Sequence, residues 1–202
     1  MSQFALPLSP DPAGPARIVI GAANLHVAEA LARPDSWPFN TAVLTGPVRS
    51  GKSLFGRWFA QGGRGDVIDD AQQMDEDALF HRWNRAQESG RPLLVIAGEP
   101  PWAITLPDLR SRLGAALQLQ IGDPDDAMAA ELLLSLAAER GLPLPDEAVS
   151  YIVPRAGRSH SALERLVATI DRLSLERKAP ATQSIWRAAL EAVIGPEEPR
   201  LF

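Results

Sequence analysis

Gly46-Pro47-Val48-Arg49-Ser50-Gly51-Lys52-Ser53 has the spacing of a phosphate-binding loop, with a glycine, four intervening residues, then glycine, lysine and a hydroxyl residue. Each residue type has a chemical task. Glycine lets backbone N–H groups close around phosphate oxygens where a Cβ would clash. A helix opening at Leu54 adds the partial positive charge of its N-terminus. Lys52 reaches the β- and γ-phosphates, and the Ser53 hydroxyl takes one position on Mg²⁺. Asp69 and Asp70 supply the other half, as the first carboxylates to end an apolar run after the loop. Asp69 is read as a Mg²⁺ ligand acting through water, and Asp70 as the group that orients an attacking water. The competing reading is a solvated acidic turn, because Asp66, Asp75, Glu76 and Asp77 lie nearby.

These residues need a strand leading into the loop and a helix leading out. Thr41–Thr45 predicts a short buried strand, and Leu54 to Ala60 the first turns of a helix. Asp66-Val67-Ile68 predicts a brief strand that ends at the carboxylates. Pro92 to Ala97 is fully apolar, as in strands buried in a parallel sheet, and Leu117 to Ile121 alternates like a strand. Helical spacing covers Asp75 to Glu88 and Leu106 to Leu113. Upstream, Ile18-Val19-Ile20-Gly21 ends in a turn, and Asn24 is placed as the cap of a helix over Leu25 to Ala32. From Asp123 onward only helical patterns occur, over roughly Asp125–Arg140, Asp146–Arg155, Ser159–Lys178 and Thr182–Ile194.

The expectation is an α/β fold in which residues 17–122 form a parallel sheet of about four strands and residues 123–202 a helical lid. Residues 1–16, with Pro7, Pro10, Pro12 and Pro15, form an extended arm. Only residues 53–68 separate Lys52 from Asp69, and they already hold a helix and the Gly62-Gly63-Arg64-Gly65 break. No room remains for a further strand and helix, so the sheet should be reduced at that edge.

At 202 residues and 46% hydrophobic content the chain can bury a full core. Its net charge of −5 argues against a broad nucleic-acid-binding surface, and no sequence-specific DNA binding is expected. The absence of cysteine excludes a disulfide framework and a thiolate zinc site. The three histidines are scattered, and His81 and His160 are placed on the surface. The tryptophans are expected to pack rather than to stack on bases. No leader-like N-terminus and no membrane-length apolar run is present, so the expected compartment is the cytoplasm, with no membrane partner.

The phosphate loop, the Asp69-Asp70 pair, the run Leu106-Pro107-Asp108-Leu109-Arg110-Ser111-Arg112-Leu113 and the all-helical end together resemble the AAA+ ATPases of the DnaA group. Ile20-Gly21-Ala22-Ala23-Asn24 is similar to that group's adenine-side segment, which makes Ile20 and Gly21 candidate nucleotide contacts. The chain stops at Phe202, where the ATPase module of DnaA ends and its DNA-binding domain would follow. Gln3-Phe4-Ala5-Leu6-Pro7-Leu8 is similar to the sliding-clamp-binding peptide of the Hda-like regulators, which inactivate DnaA and carry no DNA-binding domain. The residues suit a peptide ligand in their own right. Gln3 offers an amide to a polar pocket, Phe4, Leu6 and Leu8 offer apolar groups, and Pro7 limits the entropy lost on docking.

The resemblance implies ADP or ATP with Mg²⁺ as cofactors, and DnaA and the sliding clamp as partners. It implies that Arg112, in the Ser111-Arg112-Leu113 box, acts as an arginine finger on ATP bound by a neighbouring DnaA. Arg110 is the alternative. Two expected groups are missing. The strand at Leu93–Ala97 ends in Ala97-Gly98 without a polar side chain, and the lid position expected to hold an arginine falls at Glu164, with Arg165 beside it and Arg158 as another candidate. Weak or no hydrolysis by the chain alone follows. The reading is a regulator of replication initiation that promotes hydrolysis of DnaA-bound ATP. The alternatives are a self-acting ATPase of the helicase-loader type and a nucleotide-locked clamp adaptor.

Overall fold

The computed structural model of the chain describes residues 5–6, by their backbone, and residues 18–195. β1 (Ala5–Leu6) pairs antiparallel with β2 (Ile18–Val19). The central sheet has four parallel strands, β3 (Thr41–Thr45), β4 (Asp66–Ile68), β5 (Leu93–Ile96) and β6 (Leu117–Gln120), in the order β4-β5-β3-β6. Val43 of β3 lies opposite Val95 of β5 and Gln118 of β6, and Ile68 of β4 lies opposite Val95. The burial of each strand follows from its place. β5 is buried along its whole length and β3 along nearly all of it, as central parallel strands must be, whereas β6 at the edge turns Gln118 and Gln120 outward.

Helices cover both faces of this sheet. On one face α1 (Leu25–Leu31) and α2 (Lys52–Gln61) pack Val27, Leu31, Phe55 and Phe59 against Leu94 and Ile96. Trp37 stacks on Phe59 with ring centroids 5.2 Å apart. On the other face α3 (Glu76–Ser89) and α4 (Pro107–Ala115) pack Leu79, Trp83, Leu109 and Leu113 against Val43 and Val95. The remaining helices, α5 (Asp126–Glu139), α6 (Asp146–Ile152), α7 (His160–Arg177) and α8 (Gln183–Ile194), share a core of their own around Leu133, Ile152, Leu163, Leu166, Val167, Ile170 and Ile185.

Local chemistry sets the helix boundaries. The Asp75 carboxylate accepts the Ala78 N–H at 2.9 Å and opens α3, and Gly90, at φ +67°, closes it. Asp125 caps α5 through the Met128 N–H at 2.8 Å, and Ser159 caps α7 through the Ala162 N–H at 3.2 Å. Asn24 departs from the sequence expectation. It makes no side-chain cap on α1. Its buried amide instead accepts the Gly21 N–H and donates to the Val19 carbonyl, each at 2.9 Å, and so braces the turn that follows β2. A short loop with two unpaired backbone groups outbid the helix terminus for a side chain that can both donate and accept.

Candidate functional site

Parallel strands deliver their C-terminal ends to one edge of the sheet, where open α/β folds bind ligands. Here β3 delivers the phosphate loop, β4 delivers Asp69 and Asp70, and β5 delivers Ala97-Gly98. The Gly46 N–H reaches across to the Gly98 carbonyl at 3.4 Å. Gly51, at φ +89°, turns the chain into α2, a conformation that a side chain would strain. Lys52 lies at the first position of α2, and its Nζ donates to the carbonyls of Gly46 and Pro47, both at 2.7 Å. Burial pulls the Lys52 ammonium below the ordinary lysine value, against the opposing pull of Glu99, Asp69 and Asp70. Ser50 is buried, and its Oγ has no partner within the protein. An orphaned hydroxyl in a loop of this shape fits a phosphate oxygen, because buried polar groups are nearly always paired.

A cavity of about 680 Å³ lies between this loop and the helices α5 and α7. It brings together Val48, Arg49, Ser50, Gly51, Lys52, Ser53, Leu54, Asp69 and Asp70. Ile20, Gly21, Gly46, Pro47 and Arg112 do not line it. Ile20 is buried in the core beneath, and Gly46 and Pro47 contribute through the carbonyls that hold Lys52. Ile18, Val19 and Asn24 also line the cavity, together with Met128, Leu132 and Leu136 of α5, which packs against β2. The volume suits a nucleotide. The polar loop residues suit phosphates, and the apolar side chains of β2 and α5 suit a base.

Asp69 accepts the Asp70 N–H on Oδ1 at 3.0 Å, and Asp70 stands at φ +50° at the start of a one-turn helix, Ala71–Gln73. That turn carries Gln72 to the end of β5, where its Oε1 accepts the Gly98 N–H at 3.1 Å. A polar side chain is therefore brought to the end of β5 from the loop after the neighbouring strand. Gln72 and Gln73 line the cavity. Neither was legible as a site residue, because the link runs through backbone geometry rather than through spacing.

The lid lines the cavity with three charged or titratable groups, Glu139, His160 and Glu164. Glu164, at the position where an arginine is expected, lines the cavity and ion-pairs through both carboxylate oxygens with Arg49 of the phosphate loop. Arg158 pairs instead with Asp126 at 3.2 Å, and neither it nor Arg165 lines the cavity. His160 is 4% exposed rather than on the surface as its sequence context suggested. It continues the stripe of Leu163, Val167 and Ile170 along α7, a helical periodicity that does place it inside. Burial lowers its pKa, with Lys52 pushing the same way and Asp123 opposing.

Arg112 is half-buried on α4. Its Nη1 donates to the Asn84 Oδ1 at 2.5 Å, and its guanidinium lies 4.6 Å from the ring centroids of both Phe80 and Trp83 on α3. Arg110 on the same helix is exposed. Of the expected clamp peptide, Gln3, Phe4, Pro7 and Leu8 lie outside the described residues, and Leu6 is described only as the backbone partner of Ile18. Among the described residues no cluster of three or more histidine or carboxylate side chains could hold a metal, and no helix is long and apolar enough to cross a membrane.

Comparison with known proteins bears on both parts of the molecule. Residues 126–184 match the family model of the Hda lid domain. An uncharacterized protein of Haemophilus influenzae is 33% identical over 110 residues, 53% of this chain and 48% of that protein, so the chain spans about half the length of the curated relative it matches. In fold, the chain is similar to domain III of the Thermotoga maritima replication initiation protein DnaA, with a TM-score of 0.72, 15% identity, and coverage of 88% of this chain and 95% of that one. A DnaA structure bound to AMPPCP and single-stranded DNA gives a TM-score of 0.60 at 16% identity, over 79% of this chain and 65% of that one. The Holliday junction branch migration motor RuvB of Thermotoga maritima gives 0.63 at 19% identity, over 89% and 73%. Residues 126–184 thus match the Hda lid domain, and they are carried on a four-stranded core that shares the fold of the DnaA ATPase domain.

Proposed function

We propose that the chain is a regulator of replication initiation that binds adenine nucleotide in the cavity between phosphate loop and lid and promotes hydrolysis of ATP held by DnaA. The observation that carries the reading is the pairing of an Hda-type lid with a DnaA-type core. In this reading the cavity takes ADP or ATP. Lys52, the loop N–H groups and the orphaned Ser50 hydroxyl hold phosphate, while Ile18, Val19 and the apolar face of α5 hold the base. Ser53 and Asp69 would hold Mg²⁺, which is commonly bound by one or two protein groups plus substrate and would supply charge neutralisation at the phosphates. Asp70 faces the same end of the cavity and is the candidate for orienting water. The segment Gln3–Leu8 docks on the sliding clamp in the cytoplasm, and residues 17–122 and 123–202 act as core and lid.

Arg112 is the proposed finger. A guanidinium presented to a neighbour's γ-phosphate stabilises charge developing in the transition state, an effect worth several powers of ten in rate. Phe80, Trp83 and Asn84 fix the position of the guanidinium and leave it part-desolvated between α3 and α4. The same contacts favour a second reading, a nucleotide-locked clamp adaptor in which Arg112 only ties α4 to α3. Steady-state ATP hydrolysis separates the two, measured for this chain alone and for DnaA with the chain and DNA-loaded clamp. The regulator raises DnaA's rate and has little of its own. The adaptor changes neither rate. A high rate for the chain alone contradicts both and returns the helicase-loader type.

A further inference from the structure

Two polar side chains that face the cavity are buried without a partner, and only one belongs to the phosphate loop. Ser50 is the first. The second is His160, whose Nδ1 and Nε2 are both unpaired although the residue is more than nine-tenths buried. Leaving a buried imidazole unpaired is costly, and native proteins rarely tolerate it. His160 is also the first residue of the 18-residue helix α7, whose N-terminus carries partial positive charge. The helix terminus and Lys52 favour an anion beside the ring, and Asp123 opposes it. Glu164, one turn further along the same face, is joined to Arg49, which brings this end of α7 against the phosphate loop. The charged groups acting on the ring are Lys52 from α2 and Asp123 from the segment after β6.

We infer that His160 is the lid's phosphate ligand, donating one ring N–H to a phosphate oxygen of the nucleotide held by Lys52. The inference rests on the nucleotide reading of the cavity and names a contact on the lid side. A neutral imidazole has one donor and one acceptor, so it can satisfy a phosphate oxygen without carrying charge. This assigns to His160 the lid contact that no arginine of α7 is placed to make. It also explains why a histidine occupies a stripe otherwise made of leucine, valine and isoleucine.

Calorimetry of the full chain with ADP and with adenosine tests the assignment. His160→Leu, which keeps the packing and removes the donor, should weaken ADP about tenfold or more, as expected for a hydrogen bond to a charged group, and leave adenosine unchanged. His160→Gln, which keeps a donor, should recover most of the ADP affinity. In the parent, ADP but not adenosine should shift the His160 ring nitrogens in a heteronuclear NMR spectrum, a readout that does not depend on a variant folding. If Lys52→Ala loses ADP while His160→Leu binds it as the parent does, or if His160→Leu weakens ADP and adenosine equally, the phosphate contact is wrong and the nucleotide reading stands. If the parent itself binds no ADP, both fall together.

Discussion

Arg49 in the phosphate loop and Glu164 on α7 form a two-pronged ion pair that joins the loop to the lid across the mouth of the cavity. The arginine side chain is 63% exposed and the glutamate 22%. Solvent screens such a pair, so its contribution to folding is at most about 1 kcal/mol. Its charge matters more to a phosphate, because Glu164 both repels an anion and occupies Arg49. Glu164→Gln should therefore leave the melting temperature nearly unchanged and tighten ADP a few-fold at low ionic strength, with the gain shrinking as salt is raised. Titration of a fluorescent ADP analogue at two salt concentrations checks this. Weaker binding would show that the pair acts mainly as a brace for the lid.

Lys52→Ala removes the main cation of the phosphate end. A hydrogen bond to a charged group is worth about 1.5–3 kcal/mol, so ADP affinity should fall by roughly tenfold to a hundredfold. Adenosine, which carries no phosphate, should bind as before. Equal ADP affinity in calorimetry would remove the cavity from consideration as a phosphate site.

Glu76 accepts the N–H groups of Thr105 and Leu106, at 2.9 and 2.6 Å, and the Thr105 hydroxyl at 2.8 Å. It thereby fixes the segment that opens α4, the helix carrying Arg112. These bonds hold the Glu76 carboxyl below the usual carboxylate range. A lowered folded-state pKa contributes stability above the unfolded value, about 4.3 for glutamate, and loses it as pH falls through the folded value. Glu76→Gln should melt earlier than the parent at neutral pH, and the two melting curves should converge in acid. A difference that persists at the lowest pH would mean that packing, not ionisation, sets the effect.

Much of this architecture is legible in the sequence. All four strands of the sheet fall where apolar runs and β-strand alternation place them, and α2 to α8 begin and end within a few residues of their caps and glycines. The reduced sheet follows from the short span between Lys52 and Asp69. The Asn24 contacts, the placement of Gln72 and the burial of His160 were missed for one shared physical reason. Each depends on where a loop or helix face comes to rest in three dimensions, and the local signal at each position favours another role. Asparagine before a helical run reads as a cap, a glutamine after two aspartates as a solvated turn, and a histidine between two serines as surface. Only His160 carried a usable counter-signal, the heptad-like spacing to Leu163, Val167 and Ile170.

Gln3→Ala should abolish binding to the sliding clamp in a surface-capture assay and leave the melting curve unchanged. The amide is proposed to serve the clamp's polar pocket and has no assigned part in the cores described above. Clamp binding equal to the parent's would leave residues 1–16 without the docking role proposed for them.

The account depends most on Arg112 acting on another molecule's nucleotide. Single-turnover hydrolysis of DnaA-bound ATP, in the presence of DNA-loaded clamp and either the parent chain or Arg112→Ala, tests this directly. An arginine finger acts on the transition state, so the variant should keep nucleotide and clamp binding and yet lose the acceleration by at least about a hundredfold. Arg112→Lys should restore little, because an ammonium cannot reproduce the planar fork, and Arg110→Ala should be mild. Acceleration by Arg112→Ala equal to that of the parent would contradict the proposal and leave Arg112 as a tie between α3 and α4.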